Sequence, residues 1–346
     1  MSYTAEFDRI DAGEWHRLLL EFDDASIFQT WGYGAARWGE DNLSHAVIRK
    51  GGEAVGLAQS VLVGAPLFGK VLALVRFGPL CARRGAEARP EHRKATLAAL
   101  REEYAARRRL CLRLRLPVCG NADEDSAAIL AEDGWKALPA LYRTYLLDLS
   151  RSEDQLRAAM DRKWRANLRK AGQCHLTVAQ QNDQHGVDIF VDLHRQMRAR
   201  KRFASAFPKI LPELYRQLPD ELRPYLFICR QGDVPVAASV VSVIGNHAFL
   251  MNSATGDAAL ELRAGHFLTW AIVRALKQTG RCRWYHITAG RVTPGVRQFT
   301  RGLVGGRAPE IAPGELEACA NRLTAGMIKA ALRLRGLRRR LRARST

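Results

Sequence analysis

The chain has 346 residues, of which 47% are apolar, and this is enough for about two domains with packed cores. Its 54 Lys and Arg residues against 35 Asp and Glu residues give a formal net charge of +19, so we expect anionic partners: RNA, phosphorylated metabolites or anionic lipid. Nine basic residues follow Glu317, after which there is no acidic residue. No stretch reaches the ~18 apolar residues of a membrane-spanning helix, and the N-terminus does not resemble a signal peptide, which favours a cytoplasmic protein.

Cysteine and histidine patterns argue against a metal centre. The seven cysteines are scattered, odd in number and without a CxxC spacing, so the sequence predicts reduced thiols. The nine histidines form no metal-ligand spacing. We therefore expect no bound metal.

The first half of the chain is predicted to alternate helices and strands. A helix over 10–22 is followed by a second one from Trp31, capped by Thr30. Strands are predicted over 43–50, 54–64 and 70–76, a helix over 90–108, and a strand over 110–116. Residues 123–133 look helical, and a strand over 141–149 closes the first half.

The second half repeats much of this order. A helix from about 153 leads into a basic helix that ends at Gly172. Predicted elements then follow in chain order: a strand over 174–181, a helix over 184–202, strands over 222–230, 234–244 and 246–252, a helix over 260–279 and a strand over 283–288. Residues 289–314 hold six glycines and three prolines and are predicted to form a long loop with one helical turn at most. The last 30 residues have a helical pattern.

Two segments 180 residues apart indicate an internal duplication. Residues 48–64 and 228–244 each predict a strand, a tight Gly-acid turn and a long strand rich in small and β-branched residues. The shared positions are Ile48, Gly52, Ala58, Val61 and Val63, which recur as Ile228, Gly232, Ala238, Val241 and Val243. A repeat of this length indicates two like domains, with a cleft between them as the expected ligand site.

Four motifs, in order, resemble those of the Fem-type peptidoglycan-bridge aminoacyltransferases. They are Phe28-Gln29-Thr30-Trp31 with Arg37-Trp38-Gly39, the basic stretch Lys163-Trp164-Arg165-Ala166-Asn167-Leu168-Arg169-Lys170-Ala171, the turn Arg200-Lys201-Arg202-Phe203, and the segment from Pro294 to Gly306. With the duplication, the resemblance covers residues 10–312.

The resemblance implies an α/β (α+β) fold of two GNAT-like domains, each a mixed, mostly antiparallel sheet flanked by helices. We expect a first domain at 1–149, a second at 150–312, and a basic C-terminal helix at 313–346 that packs back on the first. The implied enzyme is a bacterial acyltransferase or aminoacyltransferase of cell-wall biogenesis. It would act on an amine or hydroxyl of a phosphorylated, nucleotide- or lipid-linked envelope or polysaccharide precursor, with aminoacyl-tRNA or acyl-CoA as co-substrate and no bound cofactor.

The resemblance also suggests where phosphates would bind. Arg37 and Arg200 match the positions that hold precursor phosphates, and a guanidinium can grip phosphate oxygens with two hydrogen bonds. The spacing of Arg162, Arg165 and Arg169 places them on one helical face, with Lys163 and Lys170 on a neighbouring stripe. This pattern predicts a helix that faces phosphate or RNA, with Trp164 and Leu168 turned inward. The alternative is an ordinary solvated helix.

Catalytic positions depart from the family pattern. Thr300 replaces the family's catalytic Lys, so Arg301 is the expected substitute, and Leu116 replaces a carboxylate. His286 stands where the family has Asp and is either a base or a packed histidine. Backbone near Asn252 is the expected oxyanion site, and Phe299 either contacts substrate or wedges its loop.

Two rival functions remain open. The first is a CoA-dependent N- or O-acyltransferase, although the R/Q-x-x-G-x-G/A pyrophosphate motif is absent at 82–87 and 262–267. The second is a non-catalytic module that binds RNA or membrane. The basic C-terminal helix is expected to pack on the first domain, to contact tRNA, or to lie on anionic lipid at the inner membrane face.

Overall fold

The computed structural model describes residues 2–65, 69–86, 89–118, 134–140, 142–201, 203, 205–287, 293–306, 308–319 and 326. The chain divides into two units. The first comprises residues 1–24, 28–140 and 313–346, and the second comprises residues 25–27 and 141–312. The described helices include none with the length and apolar character needed to cross a bilayer.

A mixed sheet forms the first unit. Its strands are β1 (Tyr3–Phe7), β2 (Leu43–Lys50), β3 (Glu53–Ala65), β4 (Gly69–Arg76), β5 (Cys111–Arg115), β6 (Lys136–Leu138) and β13 (Glu315–Cys319), in the order β1-β2-β3-β4-β5-β13-β6. All neighbours are antiparallel except β4 and β5. The turn between β2 and β3 has positive φ at Gly51 (59°) and Gly52 (84°), which glycine adopts without strain.

Helices α1 (Ala12–Leu19), α2 (Trp31–Trp38) and α3 (Pro90–Leu100) belong to the first unit, and π-helical turns continue α3 over Arg101–Arg107. Thr30 caps α2 as predicted, since its hydroxyl accepts the backbone N–H of Tyr33 at 3.3 Å. The core under α3 is formed by alternate residues of the central strands, including Leu112, Leu114 and Leu316.

The second unit is built on its own sheet. Its strands are β7 (Leu146–Asp148), β8 (Leu176–Gln180), β9 (Tyr225–Gln231), β10 (Val234–Ile244), β11 (His247–Thr255) and β12 (Trp284–His286), in the order β7-β12-β11-β10-β9-β8. Only β11 and β12 are parallel. Each unit therefore contains, in chain order, a hairpin, a third antiparallel strand, a helix and a strand that pairs in parallel with the third. This shared order confirms the predicted duplication.

Helices cover both faces of the second sheet. They are α4 (Glu153–Ala159), α5 (Arg162–Gly172), α6 (Gln184–Lys201), α7 (Phe207–Gln217), α8 (Ala264–Thr279) and α9 (Pro294–Val304). One apolar cluster joins α5, α8 and α9 to the sheet, and a second joins α6 and α7 to the opposite face. α8 ends as predicted at Gly280, which adopts a left-handed conformation (φ 61°).

Several sequence-based expectations were wrong. The predicted strand over 141–149 does not close the first sheet, because β7 pairs with β12 in the second. The predicted loop over 289–314 contains the helix α9, whose Pro294 occupies the first turn, where proline is tolerated. β13 is a strand inside the predicted C-terminal helix, and β1 and α7 had no predicted counterpart. The predicted helix over 123–133 and almost all of the C-terminal helix lie outside the described residues.

The expectation that all cysteines are reduced was also wrong. Cys111 of β5 and Cys319 of β13 form a disulfide, because the register places them directly opposite each other with their Cα atoms 4.2 Å apart. Their separation of 208 residues left no local signal in the sequence. Among the described cysteines, Cys174, Cys229 and Cys282 carry free thiols.

Candidate active site

The second sheet opens between two neighbouring strands. β11 and β12 pair over only three residues, from His247↔Trp284 to Phe249↔His286. β11 then continues to Thr255, whereas β12 ends at His286. In the described part of the chain, the backbone of residues 250–255 has no strand partner on this side. The opening exposes backbone hydrogen-bonding groups that a substrate carbonyl could use.

A β-bulge lies in the same stretch of β11. Val241 pairs with Leu250 and Val240 with Asn252, so Met251 is the extra residue. A bulge interrupts the ladder and re-aims the backbone, and bulges are common beside active sites. Asn252, the predicted oxyanion position, therefore follows the bulge directly and is half-buried.

The equivalent place in the first sheet is closed. β4 and β5 pair over five residues, up to Arg76↔Arg115 at the end of both strands. The register of β3 and β4 is regular from Ser60↔Val75 to Val63↔Leu72 and shifts only after Val63. Among the described strands of the two repeats, the combination of opening and mid-strand bulge is thus confined to the second unit.

The start of α8, next to the opening, is packed with side chains. The ring of His266 lies 5.0 Å from that of Trp164 and 4.9 Å from that of Phe299, and its Nε2 lies 3.2 Å from Asn167 Nδ2. Burial lowers the pKa of His266 to about 4, with a further contribution from the positive charge of Arg263. His266 is therefore a neutral hydrogen-bonding group at pH 7.

The helix α5 presents one apolar and one basic side, as predicted. Trp164 is buried and Leu168 packs against the core cluster. The exposed side carries four basic residues that make no ion pair within the described residues: Arg162, Lys163, Arg169 and Lys170. Arg165 is exposed too, but its guanidinium donates to the carbonyls of Ala158 and Met160 and thus holds the end of α4.

Residues 299–301, which include the predicted substrate contact Phe299 and the predicted catalytic Arg301, lie in α9. Phe299 is half-buried, and its carbonyl accepts the indole N–H of Trp164 at 3.1 Å. Thr300 is 2% exposed, and its hydroxyl donates to helix carbonyls. The exposed Arg301 donates to the carbonyl of Gly306 at 2.8 and 3.1 Å. These contacts are structural, and the catalytic role of Arg301 stays a prediction.

The side chain of His286 lies on the face of the second sheet opposite to the one that packs against α5. His286 is level with Phe249 and Ser242 on the neighbouring strands, so these three side chains share one face. Val241 and Val243, which flank Ser242, pack on the opposite face with α5. His286 is 1% exposed, and its ring stacks on Phe249 at 3.9 Å.

The hydrogen bonding and charge of His286 follow from this burial. Its Nε2 lies 3.0 Å from His247 Nδ1, and its Nδ1 has no hydrogen-bond partner among the described residues. Burial, and secondarily His247, hold the pKa of His286 well below the ordinary value of 6.5. It is a neutral ring at pH 7, and its role as a base stays a prediction.

The two predicted phosphate ligands lie in different units. Arg37 is on α2 of the first unit, where it is exposed with its guanidinium 5.4 Å from the ring centroid of Trp38. Arg200, at the end of α6, forms an ion pair with Asp257 and donates to the carbonyl and hydroxyl of Thr255 at 2.9 and 3.1 Å. Arg200 therefore fastens α6 to the end of β11.

The early motif turned out to be structural. Gln29 is fully buried, donates to the carbonyls of Gln59 and Arg76, and accepts the N–H of Gln59 at 2.7 Å. The Trp31 indole stacks on the His45 ring at 3.9 Å. Sequence reasoning missed these roles and also missed His266, although His266 directly follows the Gly265 that was examined for a pyrophosphate loop.

Only one group in the described part of the chain has donor atoms close enough for a metal ion. It consists of Cys111, Glu317 and Cys319 in the first sheet, whose ligand atoms lie within 4.8 Å of one another. Both sulfurs are joined in the disulfide, and Glu317 pairs with Arg113.

Comparisons with known proteins agree with this architecture. Residues 154–293 match the family described as an acetyltransferase (GNAT) domain. None of the curated proteins matches the chain by sequence. Among solved structures, FemX is similar with a TM-score of 0.74 and 13% identity, covering 93% of this chain and 99% of that chain.

Two further similar structures have related names. One is the C-terminal domain of a putative lysylphosphatidylglycerol synthetase from Agrobacterium fabrum, with a TM-score of 0.59, 12% identity, and coverage of 93% and 95% of the two chains. The other is L-PGS from Bacillus licheniformis, with a TM-score of 0.58, 12% identity, and coverage of 93% and 96%.

The GNAT domain matched over residues 154–293, together with the fold, supports an acyltransferase. More particularly, the similarity to FemX over 93% of this chain confirms the predicted fold and its resemblance to the Fem-type proteins.

Proposed function

We propose that the chain transfers an aminoacyl or acyl group to an amine or hydroxyl of a phosphorylated, nucleotide- or lipid-linked envelope or polysaccharide precursor. The transfer takes place at the opening between β11 and β12. The single observation that carries this proposal is the combination of opening and bulge at Met251 in the unit that matches the GNAT domain family.

The opening suits acyl transfer because this reaction needs little covalent work from the protein. It needs an aligned nucleophile and donors for the oxyanion that develops on the acyl carbonyl. Backbone N–H groups in residues 250–255, which have no described strand partner on this side, would supply such donors, and Asn252 would add a side-chain amide. In well-studied enzymes, a preorganised donor of this kind lowers the activation free energy by about 3 to 4 kcal/mol.

The packing around α8 favours an aminoacyl-tRNA ester over acyl-CoA as the donor. A CoA pyrophosphate normally lies on the free N–H groups of a glycine-rich helix start. Here Phe267 occupies the last small-residue position of that motif and packs into the core, and His266 is enclosed by Trp164 and Phe299. Arg263 donates to the carbonyl of Leu260 at 2.6 Å instead of projecting freely.

The basic side of α5 supports an anionic substrate. Lys163 and Arg169 are exposed, whereas an ordinary surface helix interleaves both signs of charge. We place tRNA phosphates on this side and precursor phosphates at Arg37 and at Arg200, whose ion pair with Asp257 would have to open first. Transfer at the cytoplasmic face of a membrane fits a lipid-linked acceptor.

The proton of the attacking group needs an acceptor, and His286 is the candidate. Its neutral state at pH 7 leaves a lone pair available. Its depressed pKa makes it a weak base, so water is an equal candidate for the initial proton acceptor. Arg301 would stabilise negative charge only after its contact with Gly306 is released.

A transfer assay tests the proposal. The full chain is incubated with radiolabelled aminoacyl-tRNA or acetyl-CoA and with a UDP-linked or lipid-linked peptidoglycan precursor, and label on the precursor is measured. We expect transfer from aminoacyl-tRNA, with a rate that falls about 100-fold in Asn252→Ala, the loss that removal of one oxyanion donor produces. Transfer from acetyl-CoA alone would move the assignment to a CoA-dependent acyltransferase.

The role of α5 is tested separately by binding. In Lys163→Ala and Arg169→Ala we expect weaker tRNA binding and a salt dependence whose slope falls by about one each. Lys209→Ala on α7 is the matched control, since it removes one exposed positive charge from the same unit. Equal losses in all three variants would mean that only net charge matters. Salt-sensitive RNA binding without transfer from either donor would refute the enzymatic proposal and favour a binding module.

A further inference from the structure

The outer face of β5 and β13 carries a ladder of three cross-strand pairs. The strands are antiparallel, and these residues lie on the sheet face opposite the one on which Leu112, Leu114 and Leu316 pack in the core. Two rungs are Arg–Glu ion pairs and the third is the disulfide: Arg115–Glu315, Arg113–Glu317 and Cys111–Cys319. The ion pairs are mostly buried, which fixes the register that sets the two sulfurs opposite each other.

The two cysteines differ in burial. Cys111 is fully buried, whereas Cys319, the last residue of β13, is half-buried and packs against the apolar cluster that contains Cys111. Thiol–disulfide exchange requires a thiolate to reach one sulfur, so access decides where exchange begins. The less buried residue, Cys319, is therefore the expected point of entry for an external thiol or disulfide.

We propose that Cys111 and Cys319 form a reversible thiol–disulfide modification site that is entered at Cys319. In the oxidising direction the Cys319 thiolate attacks a low-molecular-weight disulfide such as glutathione disulfide, forms a mixed disulfide and releases one thiol. The Cys111 thiolate then attacks Cys319 Sγ and releases the second thiol. Two protein thiols and one disulfide thus become one protein disulfide and two thiols. The two protons that the protein thiols lose are taken up by the two leaving glutathione thiolates, so no net proton is released.

The Cys111–Cys319 disulfide is expected to have a large effect on stability because a long segment of the chain lies between the two residues. The 208-residue separation includes all of residues 141–312, which form most of the second unit. Closing a long loop restricts the unfolded chain more than closing a short one. The oxidised form therefore holds β13 in the first sheet covalently, whereas the reduced form holds it by strand pairing, the two ion pairs and the packing of Leu316 in the core.

A metal site is the competing assignment for the reduced pair. Both sulfurs and the Glu317 carboxylate lie within 4.8 Å of one another. However, the guanidinium of Arg113 lies 2.6 Å from Glu317, so a cation there would meet an adjacent positive charge and lose a carboxylate ligand. The geometry favours disulfide exchange.

Equilibration in glutathione buffers tests the proposal. The full chain is held at graded ratios of reduced to oxidised glutathione, quenched with acid and alkylated, and its peptides are identified by mass. We expect the Cys111–Cys319 linked peptide to appear and disappear reversibly with the ratio. The oxidised chain should melt about 5 to 15 °C above the reduced chain, as the removal of a long-loop disulfide predicts.

Single variants test the point of entry. In Cys111→Ala, Cys319 should take up glutathione on the folded chain, while in Cys319→Ala, Cys111 should remain unmodified until the chain unfolds. Cys174→Ser is the matched control, since its half-buried thiol is free, and it should leave the linked peptide and the melting difference unchanged.

Three results would overturn the proposal: no linked peptide under oxidising conditions, equal glutathione uptake at both cysteines, or a linked peptide that reductant cannot release from the folded chain. A fourth is that Zn²⁺ stabilises the reduced chain and protects both thiols from alkylation, which would assign a metal site. The wild-type redox series gives an answer even where a variant fails to fold.

Discussion

Asp24 in the first unit is a buried carboxyl group with an incomplete set of hydrogen bonds. It is 7% exposed, and its Oδ2 accepts the N–H groups of Cys81 and Ala82 at 2.8 and 3.2 Å. Its Oδ1 has no hydrogen-bond partner among the described residues. Burial raises the pKa of Asp24 from 3.8 to about 7, although both N–H groups act in the opposite direction.

The raised pKa determines how stability depends on pH. Between pH 3.8 and about 7 the folded state keeps a proton that the unfolded state has lost, so the contribution of Asp24 to the free energy of unfolding falls as pH rises. The whole interval corresponds to about 4 kcal/mol, at about 1.4 kcal/mol for each pH unit. Asp24→Asn should remove this dependence, because a neutral amide can accept both N–H groups at every pH.

The assay is urea unfolding of both chains from pH 4.5 to 8.5 at constant ionic strength. As pH rises, we expect the free energy of unfolding of the variant to increase relative to that of the wild type, by up to about 4 kcal/mol. The difference should level off above pH 7. Asp41→Asn is the control, since it removes an exposed carboxylate and should give a nearly constant difference. Parallel pH profiles for wild type and Asp24→Asn would refute the reasoning.

Three further predictions concern other positions. Gly305→Ala should lower the free energy of unfolding by about 2 kcal/mol or more in urea titrations, because φ is +98° and a Cβ would lie 2.4 Å from the carbonyl oxygen of Ala159. Gly172→Ala, in the last turn of α5 with open space around it, should instead add about 0.5 to 1 kcal/mol, and a loss would contradict that environment. Burial lowers the pKa of His45 to about 4, so its contribution to stability is lost as pH falls below 6.5. Acidification from pH 7 to 5 should therefore destabilise wild type by about 2 kcal/mol more than His45→Phe, whose ring can still stack on Trp31, and an equal loss in both chains would contradict this.

Local patterns predicted the repeated hairpins well, because each depends on neighbouring residues. Alternating apolar residues and the glycines at 51, 52 and 232 define strands and turns without help from distant parts of the chain. The same holds for the caps at Thr30 and Gly280. These features were enough to indicate two like α/β units.

Long-range features were not predictable in this way. β13 has only five residues and is stabilised by β5 and β6, both remote in sequence. α9 contains Gly295 and Gly302, which weaken a helix, and its stability comes from packing, with Gly302 so close to Trp164 that a Cβ would lie 3.0 Å away. The opening between β11 and β12 depends on where two strands separate, which neither strand encodes alone.

The order of the strands in the first sheet has a consequence for the order of folding during synthesis. β13 lies between β5 and β6, yet it follows the second unit in the chain. The second unit is nearly continuous and has all its strands once residue 286 has left the ribosome. The first unit must wait for residues 315–319, so the half that is synthesised first is completed last. Until then, β5 presents an unpaired edge that a chaperone or another nascent chain could bind.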